Sequence, residues 1–203
     1  MIELIAPTPC FLSKYIQVNS LVPANQQHTA SPTEWIISTE EALDLIPEEI
    51  ETLFIRQPAC FTSPHFGILS LPFLTSLYLC NETLPHCTSF CVESFPSLIQ
   101  LHIGQYCCTN QKAGNNPRIE GCCRIANCPS LLTIELGSHS FESFMSLEIK
   151  QLPSLQQIRT GTNCFQNIPK VSIRGRSSWY SIDFQIMYFL TEIVELSLFH
   201  SSS

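Results

Sequence analysis

Leu71-Pro72-Phe73-Leu74-Thr75-Ser76-Leu77-Tyr78-Leu79 returns one period later as Phe95-Pro96-Ser97-Leu98-Ile99-Gln100-Leu101-His102-Ile103. Both stretches read apolar, Pro, one residue, apolar, two residues, apolar, one residue, apolar. The same frame stands at Ile50-x-x-Leu53-x-Ile55, Leu131-x-x-Ile134-x-Leu136 and Leu155-x-x-Ile158-x-Thr160. A sixth copy, Ile193-x-x-Leu196-x-Leu198, follows near the C-terminus. The step from Ile50 to Leu74 equals that from Leu74 to Leu98 and that from Leu131 to Leu155. A fixed period in this range marks stacked units, each burying its apolar face only against its neighbours. The frame predicts a β-dominated solenoid whose function is to bind along an extended surface.

In Leu77-Tyr78-Leu79 the period is two, so alternate side chains point inward and the middle one points out. Successive copies are expected to stack as a parallel sheet of short strands at roughly 4.8 Å spacing. Pro72, Pro96, Pro129 and Pro153 precede the strands, where a missing N–H does no harm. A second alternating signal follows in each unit: Phe66-Gly67-Ile68, Phe90-Cys91-Val92, Cys123-Arg124-Ile125, Leu147-Glu148-Ile149 and Val171-Ser172-Ile173. It predicts a second short strand per coil. Between the two signals stands a mostly apolar position: Cys60, Leu84, Cys108, Phe141 and Phe165. Gly104, Gly137 and Gly161 follow the first strand, where a sharp corner calls for positive φ. Two intervals exceed the period, Leu98 to Leu131 and Leu155 to Ile193. The surplus is assigned to loops, one from Asn110 to Gly121 and one around Arg174 to Ile186 with Trp179 and Tyr180.

Residues 1–32 show no repeat and carry Pro7, Pro9, Pro23 and Pro32; they read as a poorly ordered arm. The repeat region covers 33–203, with a cap over 33–46 and coils from about residues 47, 71, 95, 128, 152 and 190. In the cap, Trp35-Ile36-Ile37 reads as a strand. Ser38-x-x-Glu41 is a capping box, and its helix is expected to end near Ile46, before Pro47. This acidic helix is expected to cover the open sheet edge. Of the net charge of −7, all the excess is N-terminal: residues 1–55 hold eight acids and one base, residues 56–203 nine of each. Five bases from Lys150 to Arg176 are too sparse for nucleic acid, so no nucleic-acid partner is expected. No run of about 18 apolar residues offers a membrane span, and Met1 to Pro9 lacks the basic start of a signal peptide. The expectation is a cytoplasmic protein without a membrane span.

The run Leu152-Pro153-Ser154-Leu155-x-x-Ile158-x-x-Gly161, then Cys164-Phe165, then Val171-x-Ile173, resembles the divergent leucine-rich repeats expanded in some unicellular eukaryotes. Ser38 to Ile55 resembles the segment that opens such arrays, and the likeness covers roughly residues 35–200. It implies a leucine-rich-repeat-like solenoid with one short N-terminal capping helix, used for protein–protein contact and without catalysis of its own. The ordinary repeat has an Asn after its strand. Here Gly or another residue stands there, so the usual Asn ladder is absent, and the return segments alternate like strands.

Stacking the first strands aligns an outward row: Phe54, Tyr78, His102, Glu135, Arg159 and Ser197. Two aromatics, a His and an Arg suit an interface, since Tyr and Arg anchor such contacts. A second row would be Thr52, Ser76, Gln100, Thr133, Gln157 and Glu195. These rows are the candidate partner-binding surface for a protein of unknown identity. The alternative is an ordinary solvated face. Eleven cysteines offer a metal- or redox-responsive module, densest at Cys107-Cys108, Cys122-Cys123 and Cys128. Cys108 and Cys123 fall on core positions, however, and Cys128 takes the place of Leu71, Phe95 and Leu152. Cys107 and Cys122 lie off the core pattern and flank the insertion. The spacing lacks the C-x-x-C pair of zinc ribbons, so no metal and no cofactor is expected. No G-x-S-x-G, H-E-x-x-H, phosphate loop or kinase set is present, so no catalytic residues are assigned. A further alternative is a fragment of a larger repeat protein.

Overall fold

The computed structural model describes residues 33–39, 41–56, 63–68, 71–109, 121–166, 168, 170–176, 181–184 and 195–199. The expected N-terminal arm, the insertion from Asn110, and Trp179 with Tyr180 lie outside these residues. The described chain is β-dominated and builds two parallel sheets of short strands, with almost no helix. The first sheet holds β1 (Glu34–Ile37), β2 (Thr52–Ile55), β4 (Ser76–Leu79), β6 (Gln100–Ile103), β8 (Thr133–Leu136), β10 (Gln157–Thr160) and β12 (Ser181–Phe184), in that order. The second holds β3 (His65–Gly67), β5 (Ser89–Glu93), β7 (Gly121–Ala126), β9 (Phe144–Lys150), β11 (Lys170–Arg176) and β13 (Glu195–Phe199).

The chain alternates between the sheets, and the registers follow the repeat. Leu53, Leu77, Leu101, Ile134, Ile158 and Ile182 are register partners in turn across the first sheet. Phe66, Phe90, Cys123, Leu147 and Val171 form the matching row in the second. From Leu53 to Ile158 and from Phe66 to Val171, these rows face a shared interior. Leu53, Leu77, Leu101, Ile134 and Phe90 are each at most 1% exposed there. Each inward Leu or Ile contributes about 1.5–3 kcal/mol of burial. The position between the sheets adds Leu84, Cys108, Phe141 and Phe165. There Phe141 stacks on Phe165 at 4.9 Å and meets Phe90 and Phe144 edge-on.

The corner after each first-sheet strand corrects one expectation. Gly104, Gly137 and Gly161 do not supply positive φ. A Cβ on Gly137 would stand 2.4 Å from the carbonyl carbon of Gly104, and one on Gly161 would stand 2.4 Å from the Ser138 nitrogen. These glycines are small because the preceding turn of the chain passes against them. The left-handed backbone comes two and four residues later, at Tyr106 and Cys108, His139 and Phe141, and Asn163 and Phe165.

The same corners carry a ladder of small hydrogen-bond donors. Thr83, Cys107, Ser140 and Cys164 occupy one equivalent position, all buried. The Cys107 thiol donates to the Cys80 carbonyl at 3.1 Å, Ser140 Oγ to Gly104 at 2.8 Å, and the Cys164 thiol to Gly137 at 2.7 Å. Cys107, Ser140 and Cys164 thus each donate to a carbonyl of the preceding unit, while Thr83 donates to Cys80 of its own.

At the N-terminal end, β1 forms as expected and pairs with β2. The capping-box helix is a 3-10 turn, Glu41–Leu45. Glu41–Leu45 is a five-residue piece, and short pieces favour the tighter form. It packs Ala42, Leu43 and Ile46 against the core. It stands in the chain where later units carry a second-sheet strand.

The second correction is at the other end. The sixth frame, Leu196-x-Leu198, forms β13 in the second sheet, not the first. The coil expected from about residue 190 therefore begins earlier. Ser181 stands one full period after Gln157, and Ser181-Ile182-Asp183-Phe184 carries the repeat on into the first sheet. The alternation of Leu196 and Leu198 fits either sheet equally, and only the count decides. Among the described residues no helix is long and apolar enough to cross a membrane.

Candidate functional site

Alternation turns one row of first-sheet side chains outward, and parallel stacking sets them side by side. Phe54, Tyr78, His102, Glu135 and Arg159 are register partners in that order, as expected. Ser197 is not among them: it lies in β13, opposite Arg174 of the second sheet. Its place beside Arg159 belongs to Asp183. Ile36 of β1 extends the row at the other end. The second row runs Glu34, Thr52, Ser76, Gln100, Thr133, Gln157 and Ser181, with Glu195 likewise transferred to the second sheet, opposite Ser172.

The row is continuous in contact as well as in register. The rings of Phe54 and Tyr78 stack at 4.9 Å and 13°, and the guanidinium of Arg56 lies 5.8 Å from the Phe54 centroid. Tyr78 packs against His102 at 5.8 Å and donates its hydroxyl to Gln100 Oε1 at 3.1 Å. His102 Nδ1 is 3.2 Å from Glu135 Oε2, and Arg159 Nη1 donates to Glu135 Oε1 at 3.3 Å. Aromatic stacking at one end thus passes through an imidazole into a carboxylate shared by two cationic or donor groups. The His102, Glu135 and Arg159 side chains remain 44%, 40% and 59% exposed. Such ion pairs contribute little stability and leave their outer edges open to a partner.

Period-two reasoning missed the margin of this face. Phe73 and Ile99 are exposed large apolar side chains in the turns that enter β4 and β6. For Phe73 the signal is a departure from the frame, since Ser97, Ser130 and Ser154 stand in its place, whereas the place of Ile99 holds Thr75, Leu132 and Gln156 and gives none.

The cysteines are distributed otherwise than their clustering suggests. The nine described cysteines are free thiols. Cys107 is buried in the corner ladder, so it belongs to the core. Cys122 lies half-buried on β7, between Ser89 and Ser146 in register. Burial pushes the Cys108 and Cys123 thiols well above their ordinary value, and neighbouring thiols add to the effect. Burial likewise raises Cys107 and Cys128 against hydrogen bonds that oppose it. Cys91 and Cys164 are pushed up to about 11, again chiefly by burial. A thiol held protonated is a poor nucleophile and a poor ligand. Among the described residues no three His, Cys, Asp or Glu side chains converge so as to hold a metal ion. His139, placed in a corner, stacks on Tyr106 at 4.9 Å and approaches Glu142 through Nδ1 at 2.6 Å.

The outward side of the second sheet is organised by charge. Arg124 donates to Glu93 and to Glu148, both at 3.0 Å, and Lys150 meets Glu148 at 2.8 Å. Partial burial opposes the charge of Arg124, but the hydrogen bond to Glu93 and the charges of Glu148 and Glu93 raise its pKa above the ordinary value. Compared with protein-family models, with curated proteins and with solved structures, the chain matches none.

Proposed function

We propose that this chain is a leucine-rich-repeat-like solenoid that binds a protein partner on the outward face of its first sheet, without catalysis. The observation that carries the reading is the unbroken outward row from Phe54 to Arg159, in which stacked rings adjoin partly exposed charges. Aromatic and Arg side chains dominate binding energy where they are held in place before contact, because little side-chain entropy is then lost on binding. The alternating strand order supports the solenoid, since each unit adds one strand to each sheet and buries its apolar face on the next.

The test uses a triple variant, Tyr78→Ser, His102→Ser and Arg159→Ser, beside the wild type in affinity capture. All three side chains point outward, so the variant is expected to melt within a few degrees of wild type. A protein retained by the wild type and lost by the variant supports the reading. Equal retention by both removes the row from the binding site.

A further inference from the structure

The first-sheet face is not uniform along its length, and the difference names a class of partner. Resting on the reading of this face as the binding surface, we infer that its N-terminal half receives a basic peptide segment, one in which Lys or Arg side chains flank large apolar ones.

Three observations converge on this half. The first is exposed apolar surface. Ile36 is 52% exposed beside Phe54 in register, and Phe73 at 57% and Ile99 at 37% are exposed in the turns that enter β4 and β6, the strands of Tyr78 and His102. Grouped apolar exposure of this kind marks contact sites. Beyond Ile103 most of the corresponding positions are polar: Ser130 and Ser154 stand where Phe73 does, Glu135 and Arg159 continue the row of Phe54 and Tyr78, and Gln156 follows a half-buried Leu132 at the place of Ile99.

The second is a rim of acid on the same margin. The Glu51 carbonyl accepts from the Thr75 and Ser76 amides, and the Thr75 carbonyl from Ile99. The turn before β2 therefore lies one unit away from the turn that carries Phe73. In it Glu49 takes the place that Phe73 takes one period later. Glu34, Glu48, Glu49 and Glu51 are all exposed.

The third is the lack of competing positive charge. From residue 15 to residue 111, Arg56 is the only Lys or Arg. It already lies over the Phe54 ring. The acids of the first unit thus have almost no cation of their own in the sequence of that unit or the next. Such a concentration of one sign steers and holds the opposite sign. An acidic ligand would be repelled, and a purely apolar one would leave the rim unused.

The test pans a random short-peptide library on the full chain, then measures the recovered peptides by fluorescence anisotropy. Peptides of net positive charge with at least one large apolar residue are expected. Their affinity is expected to fall roughly tenfold in a Glu48→Gln, Glu49→Gln, Glu51→Gln variant at about 50 mM salt, with the gap closing to about twofold or less at about 500 mM. Phe73→Ser is expected to weaken them at both salt concentrations. These side chains are exposed, so unchanged melting is the control for folding. Neutral or acidic peptides, no recovered peptide, or a triple variant that binds as tightly as wild type would each overturn the inference. So would salt-sensitive self-association of the chain that displaces the peptides, seen by sedimentation. A Tyr78→Ser variant separates the two levels. Loss in Tyr78→Ser with none in the Glu variant keeps the face and discards the basic partner. Full binding by Tyr78→Ser discards the face itself.

Discussion

The two outward faces are made by the same alternation and end up chemically opposite. On the second sheet, Arg124 is 24% exposed and clamped between two carboxylates at 3.0 Å each, with Lys150 satisfying Glu148 from the other side. On the first, Arg159 is 59% exposed and meets the Glu135 carboxylate at 3.3 Å. Around Arg124 the second face closes its charges on one another. The first keeps open ring edges and under-satisfied charges, held in order but not used up. An identical backbone therefore yields one face suited to holding units together and one suited to meeting something else.

The strongest way to break this contrast is to remove the core both faces stand on. Leu101→Asp or Ile134→Asp places a carboxylate where the wild-type side chain is at most 1% exposed. The expected loss is about 4 kcal/mol or more, an unpaired buried charge added to lost packing. Because each unit is covered only by its neighbours, hydrogen exchange is expected to rise in β4, β6, β8 and β10 together. An unchanged melting temperature would count against a shared interior. Gly137→Ala comes next. Its Cβ would fall 2.4 Å from the Gly104 carbonyl carbon, and backbone on that side cannot swing away as a side chain does. A loss of about 1–3 kcal/mol is expected by thermal unfolding.

The thiols give an effect that depends on pH. Cys91 lies on the outward side of the second sheet opposite Arg124, and Cys164 lies in the buried corner ladder. Both are raised from 9.0 to about 11, chiefly by burial. A raised thiol keeps its proton in the fold after the unfolded chain has lost it. The stabilising contribution is therefore complete below about pH 9 and is lost as pH rises toward about 11. The urea midpoint is expected to fall across that window. Cys164→Ser, which keeps a donor for the Gly137 carbonyl, is expected to flatten the fall.

Much of this architecture is legible from Leu77-Tyr78-Leu79 and its copies, because period two and a constant step together fix both sheets and their registers. The limits of that reading have physical causes. Leu196-x-Leu198 alternates as either sheet requires, so its sheet depends on the intervening count, and Ile182-x-Phe184 takes the first-sheet place before it. The place of Gly137 after a strand suggests torsional freedom, whereas its role is set by backbone of the neighbouring unit, at Gly104 on the far side of the insertion. Hydropathy alone puts Cys107 outside the core, because the corner ladder accepts Thr, Cys and Ser alike and so shows no apolar pattern. For the site, Phe54 to Arg159 follow from alternation. Phe73 and Ile99 lie in turns, where period two gives no direction.

The smallest expected effect on stability is also the sharpest comparison, since it sets one Arg against the other. Arg124→Met keeps the apolar stem but takes the shared cation from Glu93 and Glu148 and leaves Glu148 with Lys150 alone. Both carboxylates are partly solvated, at 36% and 28% exposure, so they can hydrate in compensation. A loss of about 1 kcal/mol is expected. Arg159→Met removes one longer contact from Glu135, which keeps His102 as a neighbour at 3.2 Å. Its expected loss is within about 0.5 kcal/mol, the range of an ordinary surface change. On partner binding the order is expected to invert: Arg159→Met weakens the complex, while Arg124→Met leaves it as it was. Paired urea titrations and binding isotherms on the two variants check both halves. If Arg124→Met weakened binding as much as Arg159→Met, the contrast between a closed face and an open one would fail. The second sheet would then have to be counted as part of the contact surface.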